Sequence, residues 1–327
     1  MNKIEVTIVV PTFNRANSIS DTIESLCNQT YPHEKYEIII SDDSTTDETY
    51  KLVNQLIQEK DNNIRYIHAN SITKGPANAR NVGIENASGK LIGFTDDDCI
   101  VSNDWVKKAV DVFDMSTKDI SGLYGKVTTI GNCKSRYRIS REVSVENDDG
   151  SYVTPNVFYK KDVLLDVGCF DVTQRYLEDI ELGWRVENVG EILFCPSLKV
   201  NHKILCLSIK DYISRLKVIE YWVMMHSKHP NHIGKGKYIH KRMQSMRPLY
   251  IVSSFIAILS LIYSAHYAYL IVGMTLLLYS FQYVFFDQKV QKYPKRLLKF
   301  PVVYIVDLMK LYYSTKGSIK YKYFMMY

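Results

Sequence analysis

The chain has 327 residues, 46% of them hydrophobic and 23% charged, and carries a formal net charge of +6. It is longer than one average domain, and its apolar share excludes a disordered or low-complexity chain. Six cysteines without CxxC pairing or zinc spacing exclude a disulfide framework or zinc module, and read as reduced packing residues of a cytosolic compartment.

Met1-Asn2-Lys3-Ile4 leads straight into a strand-like run, so no signal peptide is expected. The first hundred residues alternate short apolar runs with helical periodicity, the pattern of βα units around a parallel sheet. Strands are predicted over Val6–Val10, Glu37–Ile40, Ile64–Ile67 and Leu91–Phe94. Between them, Ile19, Ile23, Leu26 and Cys27 share one helix face, as do Tyr50, Val53, Leu56 and Ile57, with Ser18 and Asp47 as candidate helix starts. A polar cluster follows each strand: Pro11-Thr12-Phe13-Asn14-Arg15, Ser41-Asp42-Asp43-Ser44, Thr73-Lys74-Gly75 and Asp96-Asp97-Asp98. Right-handed crossovers put all of them on the carboxyl rim of the sheet, where ligands bind in open α/β folds. Pro11, Thr12, Asn14, Arg15, Asp43 and Lys74 are therefore candidate ligand contacts.

The acidic run is the most informative cluster. Adjacent carboxylates at the end of an apolar strand repel one another unless a cation sits among them. A hard divalent ion such as Mg²⁺ or Mn²⁺ suits carboxylate oxygens and leaves positions open for substrate phosphates. The expected substrate is phosphorylated and nucleotide-linked. The structural alternatives are an Asx turn for Asp42 and Asp43, and capping of the helix near Asp104 for Asp96–Asp98.

Beyond Asp104-Trp105 a helix is predicted to Phe113, then a strand over Leu123–Ile130. The polar stretch Asn132–Gly150 is long enough for a mobile loop or lid. The region Asn156–His202 carries a helical pattern from Asp179 to Val186 and strands near Ile192–Phe194 and Lys199–His202. Ile209, Tyr212, Ile213, Leu216, Ile219, Trp222 and Val223 form an apolar helical stripe, which either lies in a membrane interface or packs on the preceding domain. From Leu249 to Phe286 there is no Lys, Arg, Asp or Glu, roughly twice the length of one membrane span. Ser264-Ala265-His266 divides it into candidate spans Leu249–Tyr263 and Tyr267–Phe286, the first short enough for a re-entrant hairpin. Lys235, Lys237, Lys241, Arg242 and Arg247 precede the block, and Lys289, Lys292, Lys295, Arg296 and Lys299 follow it. Basic flanks with an uncharged tip predict a hairpin with both ends cytosolic, and membrane lipids rather than nucleic acid as partners.

Five segments in this order, VTIVVPTFNR, SDDSTTDET, GPANARNVGI, FTDDDC and GCFDVTQRYLEDIELGWRV, resemble the inverting glycosyltransferases of family 2 over about Val6–His202. The resemblance implies an α/β class chain: the Rossmann-like GT-A fold with a mostly parallel sheet, plus a C-terminal α-helical membrane region. It implies a catalytic domain over 1–205, an amphipathic interfacial linker helix over 206–247, a hairpin over 248–287 and a basic amphipathic tail over 288–327. The protein is then expected in the cell membrane, two spans deep, with its catalytic domain and both termini cytosolic.

By the family pattern, the backbone around Thr12 and the Asp43 side chain contact the nucleotide base. A carboxylate accepts equally from uracil and from guanine, so the donor is expected to be UDP- or GDP-linked. Arg80 lies near the diphosphate and the metal-binding acids. Asp96-Asp97-Asp98 corresponds to the DxD element, Asp96 contacting the ribose or Arg80 and Asp98 the metal. Asp179 takes the position of the base that deprotonates the acceptor, while Mn²⁺ or Mg²⁺ neutralises the departing nucleoside diphosphate. His202 is a third metal ligand, a phosphate contact or a packed histidine. Asn156, Glu178 and Trp184 fall on the acceptor side, with turn, helix-dipole and core roles as their alternatives. The acceptor is expected to be a hydroxyl or phosphate of a lipid-linked or cell-surface glycan. There is no Gln-x-x-Arg-Trp element, which argues for adding one sugar or a few rather than a polymer. Two other readings are a sugar-phosphate nucleotidylyltransferase, disfavoured by the lack of glycine in Pro11–Arg15, and a non-catalytic sugar-nucleotide-binding membrane protein.

Overall fold

The computed structural model describes residues 3–46, 48–60, 63–69, 74–134, 138–232, 273 and 293–325. The chain divides into two compact units, Met1–Ile209 and Lys210–Tyr327.

The first unit is organised by four parallel strands, β1 (Val6–Thr12), β2 (Tyr36–Asp42), β3 (Ile64–His68) and β4 (Leu91–Phe94), in the spatial order β3-β2-β1-β4. Every residue of β1 and β2 is buried, which is why these strands read as nearly unbroken apolar runs. The chain moves outward from β1 to β3 and returns on the other side of β1 for β4. That reversal opens a crevice between the carboxyl ends of β1 and β4. The helices α1 (Ala16–Cys27), α2 (Glu48–Glu59) and α3 (Pro76–Glu85) make the crossovers. In α1 the expected face is buried, but Tyr50 of α2 is 48% exposed and lies edge-on to Tyr66. Ser18 sits inside α1, donating its hydroxyl to the Arg15 carbonyl, while Asp47 lies outside the described residues.

The sheet continues with β8 (Val157–Lys160) antiparallel to β4, β6 (Ile120–Ile130) antiparallel to β8, and β9 (Glu191–Lys203) parallel to β6. A short β5 (Cys99–Val101) closes the edge against β9. The two strands expected near 192–194 and 199–202 are one strand with a register shift. It falls where Pro196, which has no N–H to give the ladder, interrupts the pairing. Helices α4 (Trp105–Met115), α5 (Lys161–Asp166) and α6 (Glu178–Glu187) complete the layer architecture.

The polar stretch 132–150 is not a free lid where it is described. Its β7 (Ile139–Arg141) pairs antiparallel with β10 (Leu205–Leu207), and Val145 bridges to Val127 of β6. Cys133 and Cys206 form a disulfide with Cα atoms 5.6 Å apart, which corrects the expectation that all six cysteines are reduced. They lie 73 residues apart in sequence, and the β7–β10 ribbon brings their neighbourhoods together.

The apolar stripe over 209–223 breaks into α7 (Ile209–Arg215) and α8 (Val218–Lys228). Within the second unit, Leu216 and Ile219 pack on Tyr313, Val306 and Met309 of α9 (Tyr293–Tyr321). Glu220 accepts hydrogen bonds from Lys316 at 2.9 Å and Lys320 at 3.2 Å. Within this unit the C-terminal helix thus covers the Leu216 and Ile219 part of the stripe. Among the described residues no helix is long and apolar enough to cross a membrane. Apart from Gly273, the candidate spans lie outside those residues.

Candidate active site

The loops after β1, β2 and β4 meet on the carboxyl rim of the first unit. Asp43 N–H bonds to the Thr12 carbonyl at 3.0 Å, joining the first two loops. Asn14, with φ 52°, staples them further: its N–H reaches Ser44 Oγ at 2.7 Å and its Oδ1 accepts the Thr45 N–H at 3.1 Å. The Asn14 side chain is therefore spent on the scaffold. Asp42 is structural too, taking the Ser44 N–H at 2.8 Å and the Tyr66 hydroxyl at 2.9 Å. Its neighbour differs. Asp43 Oδ2 takes the N–H of Gly75 at 2.7 Å, while Oδ1 is buried, accepts no hydrogen bond and lies 3.7 Å from Lys74 Nζ. Gly75 has φ 139°, a conformation open only to glycine, so a side chain there would pull its N–H away from Asp43.

The acidic run binds three different cations and donors. Thr12 Oγ1 donates to Asp97 at 2.8 Å, and Arg15 Nη1 donates to Asp97 at 3.0 Å and Asp98 at 2.6 Å. Burial pushes the Asp97 carboxyl up to about 6, against the pull of Arg15 and Thr12. Asp96 pairs with Arg80 at 2.9 Å. Because β5 follows the acids directly and pairs Cys99 with His202, the chain brings His202 Nε2 to 3.4 Å from Asp98 Oδ1.

The chemistry of this corner fits a divalent cation. Asp98 Oδ1 is buried and accepts no hydrogen bond. His202 Nδ1 lies 2.8 Å from the Lys203 carbonyl, which can only accept, so Nδ1 carries a hydrogen and Nε2 is the nitrogen left for a metal. Cys99 falls in the same cluster, but burial holds its thiol well above the usual range, so it stays protonated and offers no thiolate.

Arg80 is the link across the crevice. It is 4% exposed, stacks 5.5 Å from the Phe170 ring centroid, and reaches Glu178 Oε1 with Nη1 at 2.8 Å while Nη2 holds Asp96. Glu178 and Asp179 open α6 behind Leu177, whose φ of 64° is a strained conformation for a branched residue. Burial, with Glu178 beside it, pushes the Asp179 carboxyl up to about 7, against the pull of Arg80 and the N–H of Ile180. Helix α6 is fixed by close approach: a Cβ on Gly183 would sit 2.2 Å from the Tyr152 ring.

Two acceptor-side expectations land elsewhere. Asn156 is fully buried, accepting from Trp105 Nε1 at 2.8 Å and donating to the Lys126 and Leu198 carbonyls at 2.9 Å each, so it organises the core. Trp184 is 4% exposed inside α6 and belongs to packing. Pro11 is buried in β1, leaving its backbone at the rim. The Arg15 contacts to two acids and the Arg80–Glu178 pair had no sequence signal, since partners 82 and 98 residues apart leave no local pattern.

Comparison with known proteins agrees with this architecture. The family description "Glycosyl transferase family 2" matches residues 7–179. Glycosyltransferase AglE of Haloferax volcanii is 30% identical over 173 residues, covering 50% of this chain and 55% of the relative, so the match spans about half of that protein's length. The mannosyltransferase PcManGT of Pyrobaculum calidifontis, solved with GDP-Man and Mn²⁺, superposes with a TM-score of 0.57 at 16% identity over 98% of this chain and 88% of that one. Staphylococcus aureus TarS, solved with UDP-GlcNAc, gives a TM-score of 0.52 at 18% identity over 98% and 93%. At those identities the structural likeness establishes the GT-A fold, and the sequence match to more than half of the chain establishes its family. The chain belongs to glycosyl transferase family 2.

Proposed function

We propose that this chain transfers a sugar, with inversion, from a UDP- or GDP-linked donor to a hydroxyl or phosphate of a lipid-linked or cell-surface glycan at a membrane. The observation that carries the reading is the Arg80 bridge. One buried guanidinium ties Asp96 of the acidic run to Glu178, the neighbour of Asp179, so the donor side and the acceptor-side base stand one side chain apart.

Asp43 Oδ1, lacking a hydrogen bond, is the acceptor for a nucleobase N–H. The solved relatives carry UDP-GlcNAc and GDP-Man, which supports a nucleotide-sugar donor of either base. Asp98 and His202 would hold Mn²⁺ or Mg²⁺, which would supply neutralisation of the charge that builds on the leaving diphosphate. Asp179, with its carboxyl near 7, takes the proton of the attacking group, because a base of that pKa is both available and strong enough at neutral pH. Glu178 is occupied by Arg80 and does not compete for that proton. Inverting transfer needs one base and demands no second, nucleophilic carboxylate, so Asp179 alone suffices for it. The uncharged block 249–286 between basic flanks supports membrane attachment.

Membranes bearing the full chain, given Mn²⁺ and a panel of nucleotide sugars, are to be scored for release of each nucleoside diphosphate. Release from one donor is expected, and Asp98→Ala and Asp179→Asn should each lower it by at least about 100-fold. Undiminished release in both variants would sink the reading.

A further inference from the structure

Arg15 stands where a divalent cation would have to act. Its Nη1 lies 2.6 Å from Asp98 Oδ2 and 3.0 Å from Asp97 Oδ1. The two carboxylates are nearly buried, with side chains 7% exposed, whereas the Arg15 side chain is 39% exposed. A guanidinium therefore compensates two close like charges from the open side of the crevice. On the closed side, Asp98 Oδ1 accepts no hydrogen bond and faces His202 Nε2.

The backbone of this residue is pinned, and only its side chain has room to move. The preceding Asn14 is stapled to Ser44 and Thr45, and the Arg15 carbonyl accepts the Ser18 N–H at 3.0 Å at the start of α1. A half-exposed arginine on a fixed backbone changes partners by rotating its side-chain torsions, at little cost to the fold. A dication entering at Asp98 is repelled by a guanidinium 2.6 Å from the same carboxylate, unless that guanidinium finds another anion. Diphosphate oxygens are the matching partner, because the planar fork of arginine suits them.

We propose that Arg15 is a resident counter-ion of the acidic run, exchanged for the divalent cation as the donor diphosphate binds. The inference rests on the metal and donor reading above. Its consequence is coupling: the metal alone binds weakly, and nucleotide and metal strengthen each other because the nucleotide draws off the competing cation. Couplings of this kind amount to about 5- to 150-fold in affinity.

The test is a titration of the full chain with Mn²⁺, followed by the electron paramagnetic resonance of free Mn²⁺, with and without UDP or GDP. Wild type is expected to bind Mn²⁺ at least about 10-fold more tightly with its nucleotide than without. Arg15→Gln should bind Mn²⁺ alone about 10-fold more tightly than wild type, and most of the coupling should vanish. Arg15→Lys keeps the positive charge and should bind Mn²⁺ alone close to wild type, which separates charge competition from a folding defect. If Arg15→Gln binds Mn²⁺ alone no better than wild type, or keeps the full coupling, the exchange is wrong while the metal site stands. If wild type binds no Mn²⁺ under either condition, the metal reading and the exchange fall together.

Discussion

A carboxylate in the first turn of a helix is normally easy to ionise, because the helix dipole favours negative charge there. Asp179 departs from that rule, since burial and the adjacent Glu178 lift its carboxyl to about 7. The sign has two consequences. A folded-state pKa above the unfolded value near 3.9 means that the fold disfavours the ionised form, increasingly so up to pH 7. Asp179→Asn should therefore raise the melting temperature at pH 8, with a gap over wild type that narrows towards pH 5, in a pair of thermal scans. Transfer by wild type should conversely fall as the pH drops below about 7, because the protonated acid cannot accept a proton. A wild-type rate flat from pH 5 to 8 contradicts that role. At this scale the sequence was informative where charge density was implausible without a partner, as at Asp96–Asp98. It was silent on choices between neighbours: Asp42 and Asp43 are adjacent, yet only Asp43 keeps a buried oxygen without a hydrogen bond. Asn156 likewise reads as a polar rim residue until Trp105, Lys126 and Leu198 are seen to satisfy it.

Among the elements, β1, β2 and β4 were the most legible, because burial on both faces demands the runs at 6–10, 37–40 and 91–94. The second half was less so. Strand β9 hides its continuity behind Pro196, and β8 is only Val157–Lys160, too short for its alternation to stand out. Helix α6 starts from the strained Leu177, which holds the acidic pair at its first turn. Strand β2 carries a charge that the pattern concealed. Glu37, 4% exposed, accepts from Thr7 Oγ1 at 2.8 Å, Ser88 N–H at 2.6 Å and Arg65 Nη1 at 2.9 Å. Burial alone would raise its carboxyl, but the bonds from Ser88, Arg65 and Thr7 outweigh burial and hold it below the usual range. Glu37→Ala leaves buried donors unpaired and should cost about 2 kcal/mol, lowering the melting temperature by about 4–8 °C. The lowered pKa makes this stabilisation present above the unfolded value near 4.3 and lost as pH falls through the folded one, so the difference from wild type should shrink in acid. A difference unchanged down to pH 3 would show that Glu37 contributes by packing instead.

For the whole molecule, composition sets a βα-patterned N-terminal region apart from an apolar, basic-flanked C-terminal stretch. The structure divides the chain into the units Met1–Ile209 and Lys210–Tyr327. The second unit was not legible, because helical periodicity gives α8 an apolar face without saying that α9, some seventy residues later, packs on it. The Cys133–Cys206 disulfide also escaped, since neither spacing nor composition marks a pair joined through a two-stranded ribbon. What unites the catalytic half is one crevice, at the point where strand order reverses between β1 and β4, that gathers Thr12, Arg15, Arg80, Asp96–Asp98 and His202. We propose above all that Asp98 and His202 grip a divalent ion there beside a nucleoside diphosphate. The decisive experiment is anomalous scattering at the manganese edge, from crystals of the full chain grown with Mn²⁺ and UDP or GDP. A peak is expected within about 2.5 Å of both Asp98 and His202, absent from Asp98→Ala crystals. A manganese peak elsewhere in the molecule, or one that survives Asp98→Ala, would contradict it.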